Sequence, residues 1–330
     1  MELVLVVAVV AALAFAWTNG FHDASNSVAT SLETGALTPR VALAMAALLN
    51  VVGGLFGVSV AQTLSRSLLD VPVDNPGLGL VIAALVAAIG WNTLTWWLGL
   101  PSSSSHALFG ALAGAGLAAG VAVDWPVLGR YVLLPLLVSP IVGFSLAWLL
   151  VAVLSHAVQD APHASTLRRF RLAQTVSASA MALGHGLQDA QKTAAVVVIA
   201  LVASGDAAVG DEVPFWVRGS VALALGVGTA FGGWRIIRTL GRRIAPVDPM
   251  TGFSAEAVAA ASLYAASGVF AAPVSSTHVI VASIMGGGAT HGLKAIRWRH
   301  VRWIVLAFAV TPLVTASAAY LLYQAGQASA

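Results

Sequence analysis

The chain has no cysteine, and Asp, Glu, Lys and Arg together make up only 9% of its 330 residues. The first absence excludes a disulfide framework, a thiolate metal site and a cysteine nucleophile, and says nothing of redox compartment. The second excludes a soluble enzyme, because a water-facing surface draws on about 25% charged residues. Disorder is excluded by an excess: 58% of the residues are hydrophobic, whereas disordered chains are poor in apolar side chains. A net charge of +3 does not make a nucleic-acid face, which needs its basic residues gathered on one surface. What remains is a multi-pass membrane protein.

About 20 apolar residues carry a helix across a bilayer. Val41–Ala61, Leu78–Leu98, Tyr131–Leu154 and Trp303–Tyr323 contain no charge. Phe215–Trp234 carries Arg218 and Phe253–Ala272 carries Glu256, each read as lying near an end. Leu3–Thr30 and Val176–Ala203 are interrupted by polar clusters, while Pro101–Val123 and Pro273–Thr290 open with serines and are short or glycine-rich. Ten membrane segments are expected. The first is read as a span and not a signal peptide, because Met1-Glu2 supplies no basic start.

Counting connections from an outside N-terminus puts Arg40, Arg168, Arg169, Arg171, Arg235, Arg238, Arg242, Arg243, Lys294, Arg297, Arg299 and Arg302 in the cytoplasm, twelve of sixteen basic residues. Arg66, Arg130 and Arg218 fall outside with Asp70, Asp74, Asp124, Asp206, Asp211 and Glu212. The positive-inside rule therefore predicts both termini outside, in a plasma (inner) membrane. The alternating basic and aromatic stretch from Arg297 to Trp303 suits anionic lipid headgroups rather than nucleic acid.

Three echoes recur in the same order. Residues 19–27, NGFHDASNS, align with residues 185–193, HGLQDAQKT. Gln62-Thr63-Leu64-Ser65-Arg66 echoes Arg238-Thr239-Leu240-Gly241-Arg242, and PSSSSH at Pro101 echoes PVSSTH at Pro273. Five segments per copy is an odd number, so the second copy enters from the opposite side. The predicted fold is an all-α polytopic membrane protein: an N-terminal repeat over 1–154, a cytoplasmic basic linker over 155–175 and an inverted repeat over 176–330. Broken helices, with re-entrant hairpins as an option at the Pro-Ser segments, complete the expectation. Inverted repeats with interrupted segments at matching positions are the signature of secondary transporters.

After every acid and base is placed, three charges are expected well inside the membrane: Asp23, Asp189 and Lys192. Such charges are costly and mark function by default, although an Asp23–Lys192 pair would also lock the halves together. An aspartate with Asn19, Asn26 and Ser25, or with Gln188, Gln191 and Thr193, offers an all-oxygen site for a hard cation. Gly20 and Gly186 are read as points where the backbone unwinds. Lys192 stands where Asn26 stands in the first copy, and two readings of it stay open: an ammonium in place of a bound cation, or a direct anion contact. Pro followed by Ser or Thr starts a helix whose free N–H groups and hydroxyls suit an oxyanion. His22 and His185 flank the aspartates and are relay candidates, whereas His106 and His278 are assigned to local hydrogen bonding. Asn50, Asn92 and Trp91 are read as packing or gating.

At GFHDASN, HGLQDAQK, PSSSSH and PVSSTH the chain resembles the inorganic phosphate transporter (PiT) family, bacterial low-affinity type, over essentially its whole length. The resemblance implies import of phosphate with a cation, Na⁺ in some members and H⁺ in the bacterial ones, often as a metal–phosphate complex. It also implies assembly as a homodimer in many members. It places phosphate at Ser103, Ser104, Ser105, Ser275, Ser276 and Thr277, and the coupling cation or proton at Asp23, Asp189 and Asn26; the reading of the residues adds Lys192 to the phosphate set and Asn19, His22 and Gln188 to the coupling set. No dedicated metal site and no cofactor beyond the transported ions is implied. Two departures matter: the asparagine that precedes each aspartate in the family is His22 here and Gln188 in the second copy. A titratable imidazole at that place favours H⁺ over Na⁺.

Other readings compete. Sulfate or arsenate on the same scaffold would reveal itself by competition. A passive anion channel has no need of intramembrane carboxylates. An intramembrane serine hydrolase built on His106 lacks the Gly-x-Ser-x-Gly elbow, and it needs one nucleophile rather than a symmetrical pair.

Overall fold

The computed structural model describes residues 1–67 and 71–328, so Asp70 lies outside the described residues, as do the side chains of Arg66 and Arg130. All regular structure in the described residues is helical, and it comes in two series of the same order. The first holds α1 (Glu2–Glu33), α2 (Pro39–Leu55), α3 (Ser59–Ser67), α4 (Asn75–Leu98) and α5 (Ser104–Ala118). A single turn, α6 (Trp125–Val127), and a π-helical turn then lead into α7 (Leu134–Ala157). The second holds α8 (His163–Ser204), α9 (Phe215–Phe231), α10 (Trp234–Arg242), α11 (Pro249–Gly268), α12 (Ser276–Ala289) and α13 (Trp298–Ala328).

The copies match in their details. The α2–α3 pair is bent by 62° and the α9–α10 pair by 71°. Asp74 caps α4 by accepting from Gly77 N, and Asp248 caps α11 by accepting from Thr251 N. Ser103 caps α5 at His106 N, and Ser275 caps α12 at His278 N. The chain turns after α4 at Gly99 (φ +67°) and after α11 at Ala271 (φ +47°), the same place in each copy. That left-handed conformation is free for glycine and costs alanine about 1 kcal/mol.

Among the described residues five helices are long and apolar enough to cross a membrane alone: α1, α4, α8, α13 and the Leu137–Ala157 part of α7; the count is seven if each bent pair is one span. With 15 and 14 residues, α5 and α12 reach only about 22 Å, short of the ~30 Å hydrocarbon layer. Each is preceded by a non-helical run, 100–103 or 271–275. Thr239 on α10 donates to Gly99 O, before the first of these runs, and Gln324 on α13 donates to Ala118 O at the far end of α5. The first Pro-Ser segment therefore runs from α10 to the last turns of α13 as an extended stretch followed by a helix.

The copies are interleaved. Helix α1 packs on α9, α2 on α8, α5 on α13 and α7 on α12, joining one copy to the other, while α8 against α11 is a large contact within the second copy. Two apolar clusters result. One gathers the Met1 end of α1, α3, α4, α5 and the last turns of α8; the other gathers the Glu33 end of α1, α10, α11, α12 and the middle of α8. The polar motifs lie in the layer between them.

One expectation is corrected. Helices α1 and α8 run unbroken through both aspartate motifs, so Gly20 and Gly186 do not unwind the backbone. They permit close approach instead: a Cβ on Gly20 would stand 2.0 Å from Leu225 O, and one on Gly186 would stand 2.3 Å from Asn50 O. The breaks fall at 56–58 and 232–233. Gly20→Ala should therefore lower stability by about 1–3 kcal/mol through overpacking against rigid backbone. Gly90→Ala, with nothing within 4 Å of the added carbon, should not, and thermal melting of the purified variants in detergent compares the two.

Candidate functional site

Four chain segments meet in the middle layer: residues 19–26 of α1, residues 185–193 of α8 and the starting turns of α5 and α12. Asp23 and Asp189 are each 1% exposed. Around Asp23, Ser104 Oγ lies 2.6 Å from Oδ2, Thr277 Oγ1 3.5 Å from Oδ1 and His22 Nδ1 2.6 Å from Oδ1. Around Asp189, Lys192 Nζ donates to Oδ1 at 2.7 Å and Asn19 Nδ2 to Oδ2 at 3.1 Å. Ser104 also reaches Asn19 Oδ1 at 2.8 Å, so Asn19 links the two carboxylates.

His185 stands between them. The Thr229 hydroxyl donates to Leu225 O (2.9 Å) and so accepts from Asn50 Nδ2 (2.8 Å), which turns Asn50 Oδ1 toward His185 Nδ1 (2.9 Å). Nδ1 therefore carries a hydrogen. Nε2 faces Asp189 Oδ2 at 3.1 Å and Asp23 Oδ2 at 3.9 Å. That contact is attractive only with a further proton on Nε2 or on a facing carboxyl group. With both imidazoles neutral, two carboxylates and one ammonium leave the cluster one negative charge in excess. The ligand atoms of Asp23, His185 and Asp189 lie within 4.8 Å of one another, a three-donor set that a cation would find already gathered.

Every site residue expected from sequence lies in this layer, but their contacts differ. Ser103 and Ser275 turn their oxygens to the backbone as caps. Ser104, Ser105, Ser276 and Thr277 face the aspartates, Lys192 and Asn26. Gln188 holds the run before α12, donating to Ala272 O and accepting from Val274 N. His22 Nε2 approaches Thr95 Oγ1 (3.1 Å) and Ser102 Oγ (3.4 Å), bracing the matching run before α5. His106 and His278 lie just past the caps with their rings edge to face, centroids 4.6 Å apart.

Sequence reasoning missed two features. Asn50 belongs to the site, since it fixes the tautomer of His185. Glu256 is the larger omission. It was placed near a span end, but α11 begins at Pro249 and Glu256 lies two turns inside, fully buried. Its carboxylate accepts from Thr30, Ser31 (2.6 Å), Ser177 (2.7 Å) and Gln174 (3.4 Å). No ion pair reaches it among the described residues. Among the described residues Glu256 thus joins Asp23, Asp189 and Lys192 as a buried ionisable group of the bundle, on the side where α1 ends at Glu33.

Comparison with known proteins agrees with this architecture. A family model described as "Phosphate transporter family" matches residues 19–169 and 155–319. A protein of Bacillus subtilis (strain 168), named "Probable low-affinity inorganic phosphate transporter", is 38% identical, covering 96% of this chain and 95% of its own. One of the same name from Rhizobium meliloti (strain 1021) is 42% identical, covering 97% and 95%. A solved structure titled "The sodium-dependent phosphate transporter" superposes with a TM-score of 0.86 at 21% identity, over 99% of this chain and 100% of that one.

The four donors on Glu256 give a test of its role in stability. Glu256→Leu leaves buried hydroxyls and an amide without an acceptor and should cost about 3 kcal/mol or more. Glu256→Gln retains one acceptor oxygen and should cost less than half of that, as read from thermal melting of the two variants.

Proposed function

The chain belongs to the phosphate transporter family, and on that footing we propose that it imports inorganic phosphate together with protons. One observation carries the reading: two helix N-termini from opposite sides meet two buried carboxylates whose charge a single ammonium does not balance. The N-terminal turns of α5 and α12, with Ser104, Ser105, Ser276 and Thr277, supply N–H groups and hydroxyls of the kind that hold a tetrahedral oxyanion. Ser103 and Ser275 keep those turns in place. Phosphate would add at least one further negative charge to a layer whose two carboxylates already outnumber its one ammonium. An uncompensated charge at this depth costs several kcal/mol, so the anion enters only with cations, which is the physical basis of coupling.

Protons are favoured by His185, whose Nε2 faces both carboxylates with its Nδ1 already hydrogen-bearing, and by His22 on Asp23. Two features support alternating access: α5 and α12 start in the middle layer, and the helix breaks at 56–58 and 232–233 lie against the aspartate motifs, Gly57 by Leu187 and Gln191 and Gly233 by Phe21 and His22. The twelve basic residues counted above support N- and C-termini outside the plasma membrane. A sodium reading has one observation of its own, Asn26 Oδ1, a buried oxygen near Asp23 that accepts no hydrogen bond among the described residues.

Labelled-phosphate uptake into proteoliposomes tests this. An acid-outside gradient alone should drive concentrative uptake, unlabelled phosphate should compete and sulfate should not. Asp23→Asn should reduce uptake by on the order of a hundredfold, the equivalent of losing about 3 kcal/mol of charge-assisted contacts. Uptake driven by Na⁺ and indifferent to pH gradients would replace the proton with sodium, and competition by sulfate would change the substrate.

A further inference from the structure

We propose that Lys192 is a built-in cation: its ammonium fills, in the second copy, the place that a mobile coupling cation takes beside Asp23 in the first. Of the two aspartates, only Asp23 then exchanges its countercharge during transport. The inference rests on the symport reading above and deepens it.

Lysine has three N–H donors, and all three of Lys192 are engaged by protein oxygens: Ser105 Oγ at 2.8 Å, Asp189 Oδ1 at 2.7 Å and Val274 O at 2.6 Å. None remains for an anion, which separates the two readings open at the level of sequence. A carboxylate, a hydroxyl and a carbonyl from a non-helical run are the oxygen donors that a hard cation selects. The side chain is 3% exposed, so the charge is sealed in with its ligands.

The repeat supplies the comparison. Lys192 aligns with Asn26, Asp189 with Asp23, and Ser105 with Thr277. The contact of Lys192 Nζ with Ser105 Oγ is matched by Asn26 Nδ2 with Thr277 Oγ1 at 3.0 Å. Geometry is retained while charge is not: Asn26 presents an amide, and Asp23 has no lysine or arginine partner among the described residues. Asn26 Oδ1, on a residue 2% exposed, accepts no hydrogen bond among the described residues. The first copy thus keeps a carboxylate and an orphan amide oxygen where the second holds an ammonium.

The test is the coupling number. Protein in liposomes is given a fixed phosphate gradient, and the opposing proton or Na⁺ gradient that stops net flux is found at clamped voltage. Lys192→Asn should couple one more cation per phosphate than the unaltered chain. The limiting accumulation should then rise about tenfold for a tenfold gradient of that ion. Moving the charge, Asn26→Lys with Lys192→Asn, should restore the original number. An unchanged number in an active Lys192→Asn variant overturns the proposal. If that variant is inactive, melting decides in an Asp23→Asn background, which silences the first copy. Stabilisation by Na⁺ or by acid should appear only when Lys192→Asn is added, and its absence overturns the proposal equally. Failure of the unaltered chain to accumulate phosphate would sink the symport reading, while the melting comparison would still report on Lys192.

Discussion

Everything in the middle of this molecule answers to one constraint: two carboxylates are buried together, with one ammonium, that of Lys192, held on Asp189. An isolated charge at that depth is expensive, so the two carboxylates together draw partners from α1, α5, α8 and α12. Lys192 and Asn19 serve Asp189, while Ser104 and His22 serve Asp23. The groups behind these donors are equally determined. Thr229 orients Asn50, Asn50 orients His185, and His185 presents one nitrogen to both acids. A shift in any of these helices would uncover a charge, so the polar layer fixes the register of the apolar layers on either side.

Inversion of the repeat is what makes that layer available. A helix N-terminus attracts negative charge within about one turn, so two such ends act together only if both stop at the same depth and face each other. Copies in the same orientation would send both ends toward the same face. Inverted copies send α5 and α12 away from the midplane in opposite directions, and their caps meet in the middle. Interleaving then closes the layer. With α1 against α9 and α8 against α2, the glycines at 20 and 186 bring backbone against backbone, and water has no space between them.

Much of this was legible in the residues, and the reasons are specific. Asp23, Asp189 and Lys192 stand out because a charge in an apolar run has few innocent explanations. The Pro-Ser motifs stand out because they recur in order with the aspartate motifs, which duplication explains and chance does not. The five units per copy follow from the same alignment, and the paired caps Asp74 and Asp248 support it. Gly20 and Gly186 were misread because the absence of a Cβ permits two opposite things, unwinding and close packing, and only the neighbouring helix decides between them. Glu256 was hidden for a related reason. Its depth depends on where α11 begins, and its donors come from α1 and α8, far away in sequence. Asn50 resembles any polar residue in a span until His185 is placed beside it.

Departures from symmetry carry as much information as symmetry itself. Duplication would leave two equal anionic centres, each needing a cation of its own, and the layer would be harder to neutralise whenever one stood empty. The chain differs from that arrangement at Lys192 against Asn26, at Gln188 against His22 and at Glu256, whose counterpart by the alignment of the Asp74 and Asp248 caps is the apolar Ile82. The first difference fixes a positive charge on one aspartate. The second leaves a titratable ring on the other. The third adds a carboxylate on one side of the midplane alone, embedded in hydroxyls and without a countercharge among the described residues. Among the described residues the Glu33 end of α1 thus has beside it a buried carboxyl group that the other copy does not repeat. The backbone repeats itself from one copy to the other, whereas its charges do not.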